Sequence, residues 1–317
     1  MLKDKIKENK PGILLYGITP PKINLSKDEA YQIAKKQLER LENTGIDGLV
    51  IYDLQDESAR NDEKRTFEFC GTIKPEIYHK EFLKLSYPAV IYKAVGNYTK
   101  EEFANFLNTS NNDMLSVFVG ASSKNDLLKF NLNEAYKLKK EQGGNVTVGG
   151  ICIPERHEKK GDEDLRVASK IIKGCEFFIT QAVYNIENAK RFLDDYANLG
   201  IKKVPIIFTF TPCGSPKTLE FMRWLGISVS KQFEDRLFES DDPLSASVGL
   251  SLDMFEFLYK YGRAKGVSVG ANVESISTRK VEIEASINLL CGIKNIIQNE
   301  KECNLEELIQ SASKFYE

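Results

Sequence analysis

Polar side chains follow short apolar segments of this sequence, and their types suit acid–base chemistry and ligand binding. A carboxyl group that burial keeps protonated can act as a general acid. A carboxamide both donates and accepts hydrogen bonds, and a guanidinium pairs with a carboxylate through two parallel bonds. The candidates are Glu155 and Glu274 as catalytic acids, and Asp53, Gln181, Tyr184 and Arg279 as substrate-binding groups.

Each candidate also has a purely structural interpretation. Asp53 could cap a turn, Glu155 could lie in a surface loop, and Gln181 could bond to backbone at a strand end. A functional interpretation is favoured because polar groups recur at the same end of several apolar segments.

The elements that must position these groups are apolar segments rich in β-branched and aromatic residues. Amphipathic stretches typical of helices, such as 27–45 and 186–200, separate them. This alternation predicts parallel strands with helices outside, and the number of segments favours an α/β fold, a (β/α)8 TIM barrel, as one domain over residues 1–317. Residues 215–265 hold more helix than one unit needs, which predicts extra helices before strand 8. The predicted strands are 13–18, 48–53, 88–95, 115–120, 146–153, 176–181, 204–210 and 267–272.

Composition narrows the class of partner. Apolar residues make up 42% of the 317 residues and charged residues 28%, an ordinary balance for a globular protein. The net charge of −2 gives no electrostatic reason to expect a nucleic-acid or membrane partner. The charged amino terminus is unlike a signal peptide and no apolar run is long enough to span a bilayer, so we expect a cytoplasmic protein. Six scattered cysteines and two histidines offer little for a metal site, and we expect none.

Four segments together resemble the methylenetetrahydrofolate reductase family: 17-GITPPK-22, 154-PERH-157, 178-FITQAVYN-185 and 205-PIIFTFTP-212. The resemblance covers nearly the whole chain, but it is faint over residues 50–145. It implies a (β/α)8 barrel that reduces 5,10-methylenetetrahydrofolate to 5-methyltetrahydrofolate, usually with a flavin that relays hydride from a nicotinamide. It also implies that Gln181 meets the pterin and that Arg279 meets the glutamate tail of a reduced folate.

Departures from the family pattern fall on the flavin and acid positions. Gly17 stands where the family has a glutamate that helps to open the five-membered ring of the substrate, and Tyr92 where it has a histidine against the flavin. Val119 to Ala121 replace an Arg-Gly-Asp phrase, and Ile153 replaces a tyrosine. The glycine-rich end of strand 2 is 52-YDLQDES-58. The resemblance therefore indicates a divergent member that lacks the usual flavin-binding and acid residues.

The leading hypothesis is an oxidoreductase of one-carbon metabolism, on the route to methionine, that binds a reduced folate at the barrel mouth. Hydride would come directly from NAD(P)H, or from a flavin held in an altered manner, while the usual FAD site looks lost. With Gly17 unable to give a proton, Glu155 and Glu274 are the predicted acids. Two alternatives remain open: a folate-dependent methyl or one-carbon transferase, and a non-catalytic barrel acting as a partner subunit. A homo-oligomer is also compatible with the sequence.

Overall fold

The computed structural model describes residues 1–55, 69–110, 114–120, 130–142 and 145–299, together with Leu308 and Phe315. Its strands form a closed barrel in which all neighbours are parallel and follow chain order. The predicted (β/α)8 architecture is confirmed, whereas the single-domain boundary of 1–317 stays a prediction. The strands are β1 Leu14–Ile18, β2 Gly48–Ile51, β3 Ala89–Ala94, β4 Leu115–Val119, β5 Thr147–Cys152, β6 Cys175–Ala182, β7 Ile206–Phe210 and β8 Val269–Glu274.

Helices cover the outside of the barrel. The segment between β7 and β8 contains the helices Pro216–Trp224, Lys231–Phe238 and Pro243–Ala264, which confirms the expected extra helices before the last strand. The helices are α1 Leu2–Lys7, α2 Lys27–Leu41, α3 Pro75–Ile77 continued by a π-helical turn Tyr78–Phe82, α4 Lys100–Thr109, α5 Leu132–Gln142, α6 Pro154–Lys160, α7 Glu163–Ile172, α8 Ile186–Asn198, α9 Pro216–Trp224, α10 Lys231–Phe238, α11 Pro243–Ala264 and α12 Lys280–Gln298; a 3₁₀ turn spans Val95–Asn97.

Local sequence explains where two of the outer helices begin. The Ser26 hydroxyl accepts a hydrogen bond from the Glu29 amide, and the Glu29 carboxylate accepts from the Ser26 amide. Thr99 and Glu102 form the same reciprocal pair at the start of α4. These bonds satisfy amide hydrogens that a helix end leaves free, which fixes the first residue of each helix.

The barrel interior is a separate apolar cluster, distinct from the layer between strands and helices. Alternate residues of each strand point inward, and α1 closes the amino-terminal end with Leu2 and Ile6. The lower layers are therefore filled with apolar side chains, which leaves the carboxyl-terminal end, the mouth, as the place for a site. The cluster comprises Leu2, Ile6, Ile13, Leu15, Val50, Val90, Tyr92, Leu115, Val117, Phe177, Ile179 and Ile207, with Tyr52, Val119 and Ile151 packed against it.

Some boundaries differ from the sequence-based expectation. The segment after β5, for which no helix was predicted before residue 162, contains α6, which begins at Pro154 because proline is preorganised for a first helical turn. Glu274, expected just past strand 8, is the last residue of β8. The predicted polar cluster from residue 56 onward, Ala121 and Cys303 lie outside the described residues.

Candidate active site at the barrel mouth

Two tyrosines line the interior at the mouth. Tyr52 directly follows β2 and Tyr92 lies on β3, each two residues after an interior valine, so strand alternation turns both inward. Their rings meet edge to face, with centroids 4.9 Å apart and planes at 77°. Burial raises the pKa of both phenols well above the usual value. Both hydroxyls are therefore neutral near pH 7 and can donate hydrogen bonds.

Glu274 lies beside Gly17 at this mouth. The two residues pair in register across β8 and β1. The Glu274 carboxyl accepts a hydrogen bond from the Tyr52 hydroxyl. Burial raises the pKa of the Glu274 carboxyl and outweighs the lowering effect of that bond. A carboxyl that stays protonated to a higher pH than usual is suited to giving a proton.

A buried polar network supports Tyr52 from below. The Asn272 side chain is fully buried, and its Nδ2 donates to the Tyr52 hydroxyl oxygen at 2.9 Å and to Thr209 Oγ1 at 3.2 Å. Thr209 Oγ1 in turn donates to the Thr180 carbonyl oxygen at 2.8 Å. Because Asn272 donates to the Tyr52 oxygen, the Tyr52 proton is free to point toward Glu274. The Asn272 Oδ1 atom is buried and has no hydrogen-bond partner among the described residues.

Gln181 lies in an irregular part of β6. The register between β6 and β7 shifts between Ile179 and Ala182, so the residues in between form a bulge. Bulges often redirect side chains next to binding sites. The Gln181 side chain is half-buried, and its carboxamide has no hydrogen-bond partner in the part of the chain that the structure describes. Gln181 is thus available to a ligand at the mouth.

Asp53 and Tyr184 are engaged with the protein itself. Asp53 Oδ2 accepts hydrogen bonds from the Ala94 amide and the Tyr98 hydroxyl, both at 2.8 Å, and burial raises the pKa of this carboxyl. Tyr184 is almost fully buried, and its hydroxyl donates to the Thr211 carbonyl oxygen at 2.7 Å. Both residues support the loops around the mouth, and their predicted contact with substrate stays a prediction.

Arg279 is placed at the rim by the start of α12. It is the N-cap residue of that helix, and its guanidinium bonds to the buried carboxylate of Glu282. The Arg279 side chain is 58% exposed, so solvent or a ligand can reach it. Its position is compatible with the predicted contact to a carboxylate tail, which stays a prediction.

Glu155 lies on α6, one residue after the proline that follows β5. It is only 5% exposed, and its Oε2 atom is buried without a hydrogen-bond partner among the described residues. Burial raises the pKa of the Glu155 carboxyl to about 7, helped by the negative charges of Glu158 and Glu163. Glu155 can therefore exist in either protonation state near neutral pH.

The opposite side of the mouth offers little to a flavin. Val119 and Ile151 pack against the interior cluster, and Ile153 follows β5 directly. Lys93, the residue after Tyr92, points away from the barrel interior. It is fully buried there, and its ammonium group pairs with the Glu76 carboxylate at 3.0 Å. The described residues of β4 and β5 thus present apolar side chains where a flavin needs polar partners, and they do not fit FAD in the usual family manner.

Sequence reasoning singled out Glu274 and Gln181 but not the network around them. Tyr52 and Asn272 were visible as polar residues at strand ends, yet nothing in the sequence showed that they contact each other. The signal that could have found them is strand alternation, which makes Tyr52 the next inward position after Val50.

Among the described residues, no group of three or more His, Cys, Asp or Glu side chains could hold a metal ion. In the same part of the chain, no helix is long and apolar enough to cross a membrane.

Comparisons with known proteins agree with a folate-related barrel. The family model for methylenetetrahydrofolate reductase matches residues 123–269. The structure of an uncharacterized protein from Clostridium thermocellum that binds two copies of 5-methyl-5,6,7,8-tetrahydrofolic acid is 47% identical to this chain, with a TM-score of 0.82. The match covers 93% of this chain and 100% of that protein. The chain belongs to the methylenetetrahydrofolate reductase family, as the sequence motifs indicated.

More distant structures add nothing on function. A 2,3-dimethylmalate lyase is 10% identical with a TM-score of 0.45, over 98% of this chain and 93% of its own. The 7,8-dihydropteroate synthase from Vibrio fischeri is 10% identical with a TM-score of 0.44, over 92% and 95% respectively. No curated protein sequence matches the chain.

Proposed function

We propose that this protein binds a reduced folate at the barrel mouth and reduces 5,10-methylenetetrahydrofolate to 5-methyltetrahydrofolate. The observation that carries the proposal is the polar half of the mouth, where β6 carries the Gln181 carboxamide, unpaired among the described residues, and β8 carries Glu274, a carboxyl of raised pKa. Family membership and the 5-methyltetrahydrofolate bound by the Clostridium thermocellum relative support it.

The binding roles follow from the chemistry of the side chains. Gln181 can donate to and accept from the mixed hydrogen-bonding edge of a pterin. The exposed Arg279 guanidinium suits the carboxylate tail at the rim. In the proposal Asp53 and Tyr184 shape the wall of the folate site, with the partly buried Asp53 carboxylate as the direct ligand contact.

The reaction needs a proton before it needs a hydride. Opening the five-membered ring of the substrate breaks a carbon–nitrogen bond, leaves an iminium at the one-carbon unit and requires a proton on the departing nitrogen. Glu274 is the acid that we favour, because it lies at the mouth among Tyr52 and Asn272. Glu155 is the second candidate acid, with a pKa of about 7.

NAD(P)H is the proposed source of hydride, delivered to the iminium carbon without a flavin relay. The apolar side chains of Val119 and Ile151 support this choice, since they take the place of polar groups against a flavin. The visible absorption spectrum of the purified protein tests it directly. Flavin absorption bands would contradict the proposal of direct transfer.

The decisive experiment measures oxidation of NADH and of NADPH by the pure protein with and without 5,10-methylenetetrahydrofolate. We expect oxidation of at least one nucleotide that depends on the folate, and we expect calorimetry to detect binding of 5-methyltetrahydrofolate. Binding without any folate-dependent oxidation would refute the reductase proposal.

A second candidate function is methyl transfer from 5-methyltetrahydrofolate to a protein or corrinoid acceptor. One finding favours it: the relative binds the 5-methyl form, which is the methyl donor in such reactions as well as the product of the reductase. Loss of the methyl group from bound 5-methyltetrahydrofolate in the presence of an acceptor, without nucleotide oxidation, would support this candidate over the reductase.

A further inference from the structure

Gly17 leaves a space at the mouth that a neighbouring residue occupies. A Cβ atom at position 17 would lie 2.8 Å from the Tyr52 hydroxyl oxygen, 2.9 Å from Tyr52 Cε2 and 3.1 Å from Glu274 Cβ. Distances under 3.0 Å are shorter than any stable contact between such atoms. The Tyr52 ring can therefore occupy its position only because residue 17 has no side chain.

The hydrogen bonds in this space form a chain that leads from Asn272 through Tyr52 to Glu274. Asn272 donates to the Tyr52 oxygen at 2.9 Å, which leaves the Tyr52 proton to bond with the carboxyl of Glu274. Asn272 is itself held by Thr209 and is fully buried, so the orientation of the tyrosine is fixed from below. Glu274 lies in register with Gly17, so its carboxyl projects into the same layer as the missing side chain.

We propose that Tyr52 is a positioning residue that aims the Glu274 carboxyl at the bound folate, in the space that Gly17 leaves open. This inference rests on the proposed reductase function and deepens it, because it selects Glu274 over Glu155 as the acid. The hydroxyl of Tyr52 does not itself transfer a proton to substrate. It holds the carboxyl in place and stabilises the carboxylate that remains after transfer.

The Glu274 proton passes to the folate nitrogen, the bond from that nitrogen to the bridging carbon breaks, and its electron pair stays on the nitrogen. The iminium carbon then accepts hydride from NAD(P)H, which leaves as NAD(P)⁺. The Glu274 carboxylate regains a proton from water at the mouth, where this residue is only partly buried.

Substitution of the acid and of its partner should have separable effects. Glu274→Gln should lower kcat at least a hundredfold, the usual contribution of a general acid, while folate binding persists. Tyr52→Phe should lower kcat by about tenfold or more and leave KM for the folate nearly unchanged, since it removes a bond that is strongest to the carboxylate. Gly17→Ala, which keeps the tyrosine but displaces its ring, should behave like Tyr52→Phe.

The distinguishing readout is the titration of the Glu274 carboxyl in folate-free protein. The infrared difference between the protein and Glu274→Gln isolates its carbonyl stretch and requires no turnover. The Tyr52 bond stabilises the charged form, so Tyr52→Phe and Gly17→Ala should both move the midpoint to higher pH, in agreement with the pH profile of kcat. Tyr92→Phe is the matched control, because the Tyr92 hydroxyl makes no hydrogen bond to Glu274 in the described residues, and its midpoint should stay in place.

An unchanged infrared midpoint in both Tyr52→Phe and Gly17→Ala, in protein that still binds 5-methyltetrahydrofolate, would overturn the inference. Full turnover by Glu274→Gln would overturn it as well. Failure of the reductase proposal looks different, because the wild-type protein would then show no folate-dependent oxidation of nucleotide even though the infrared midpoints shift.

Discussion

Replacement of Glu155 by glutamine should stabilise the folded protein at neutral pH and leave it unchanged in acid. The carboxyl is buried, and its Oε2 atom has no partner among the described residues. Burial raises the pKa of Glu155 from 4.5 to about 7 in the folded state. At pH values between 4.5 and about 7 the carboxyl loses its proton in the unfolded chain but keeps it in the folded protein. Ionisation therefore stabilises the unfolded state relative to the folded state.

The size of the effect follows from the two pKa values. A separation of 2.5 units, from 4.5 to about 7, corresponds to roughly 3 kcal/mol at 1.36 kcal/mol per unit. The penalty is absent below pH 4.5, where both states are protonated, grows as pH rises and is complete above pH 7. Glu155→Gln removes the titration, so its free energy of unfolding should exceed that of the wild type by an amount that grows over this window.

Urea denaturation at pH 4, 5, 6, 7 and 8 measures this difference. The matched control is Glu220→Gln on α9, an exposed carboxyl for which the difference should be near zero throughout. A difference between Glu155→Gln and wild type that does not change with pH would refute the reasoning. Activity provides the second half of the test. If Glu155 is the acid, the more stable variant should lose turnover, whereas full turnover would assign the chemistry to Glu274.

Three further outcomes follow from single contacts. Gln181→Leu should weaken 5-methyltetrahydrofolate binding by tenfold to a hundredfold in calorimetry, because the pterin edge loses its hydrogen bonds, and unchanged affinity would contradict that role. Glu76→Gln should destabilise the fold by about 3 kcal/mol in urea, since it removes the carboxylate that pairs with the buried Lys93 ammonium at 3.0 Å. Gly149→Ala should cost about 2 kcal/mol in the same assay, because its Cβ would lie 2.5 Å from Phe177 Cζ inside the barrel; wild-type stability would show that the ring can move.

The barrel could be predicted from the sequence because each strand repeats one signal. An apolar segment, a polar end and an amphipathic helix recur along the chain, and a parallel strand covered on both faces must be apolar throughout. The predicted segment 176–181 became β6 Cys175–Ala182, and similar shifts of one or two residues affect the other strands. The helix α6 within 154–164 was not predicted, because most residues of this segment are charged and the strongest helix signal is the single Pro154.

The sequence predicted single residues of the site but not the contacts between them. Gln181 and Glu274 stood out because each is a polar group at the end of an apolar run. The contact between Tyr52 and Asn272 joins residues 220 positions apart, and only barrel closure through the pairing of β1 and β8 brings their strands into the same interior. The same closure explains why Gly17 looked like a loss in the sequence, whereas in the fold it makes room for a tyrosine.

The strand register also explains how a carboxyl on β8 can serve the same site as a carboxyl on β1. Register partners on adjacent parallel strands point to the same face, so residue 17 on β1 and residue 274 on β8 reach the same layer of the mouth. A carboxyl at position 17 would collide with Tyr52, whereas a carboxyl on the neighbouring strand receives the Tyr52 hydrogen bond instead. The glycine and the tyrosine therefore form one arrangement, and a side chain restored at position 17 should displace the Tyr52 ring and with it the hydrogen bond to Glu274.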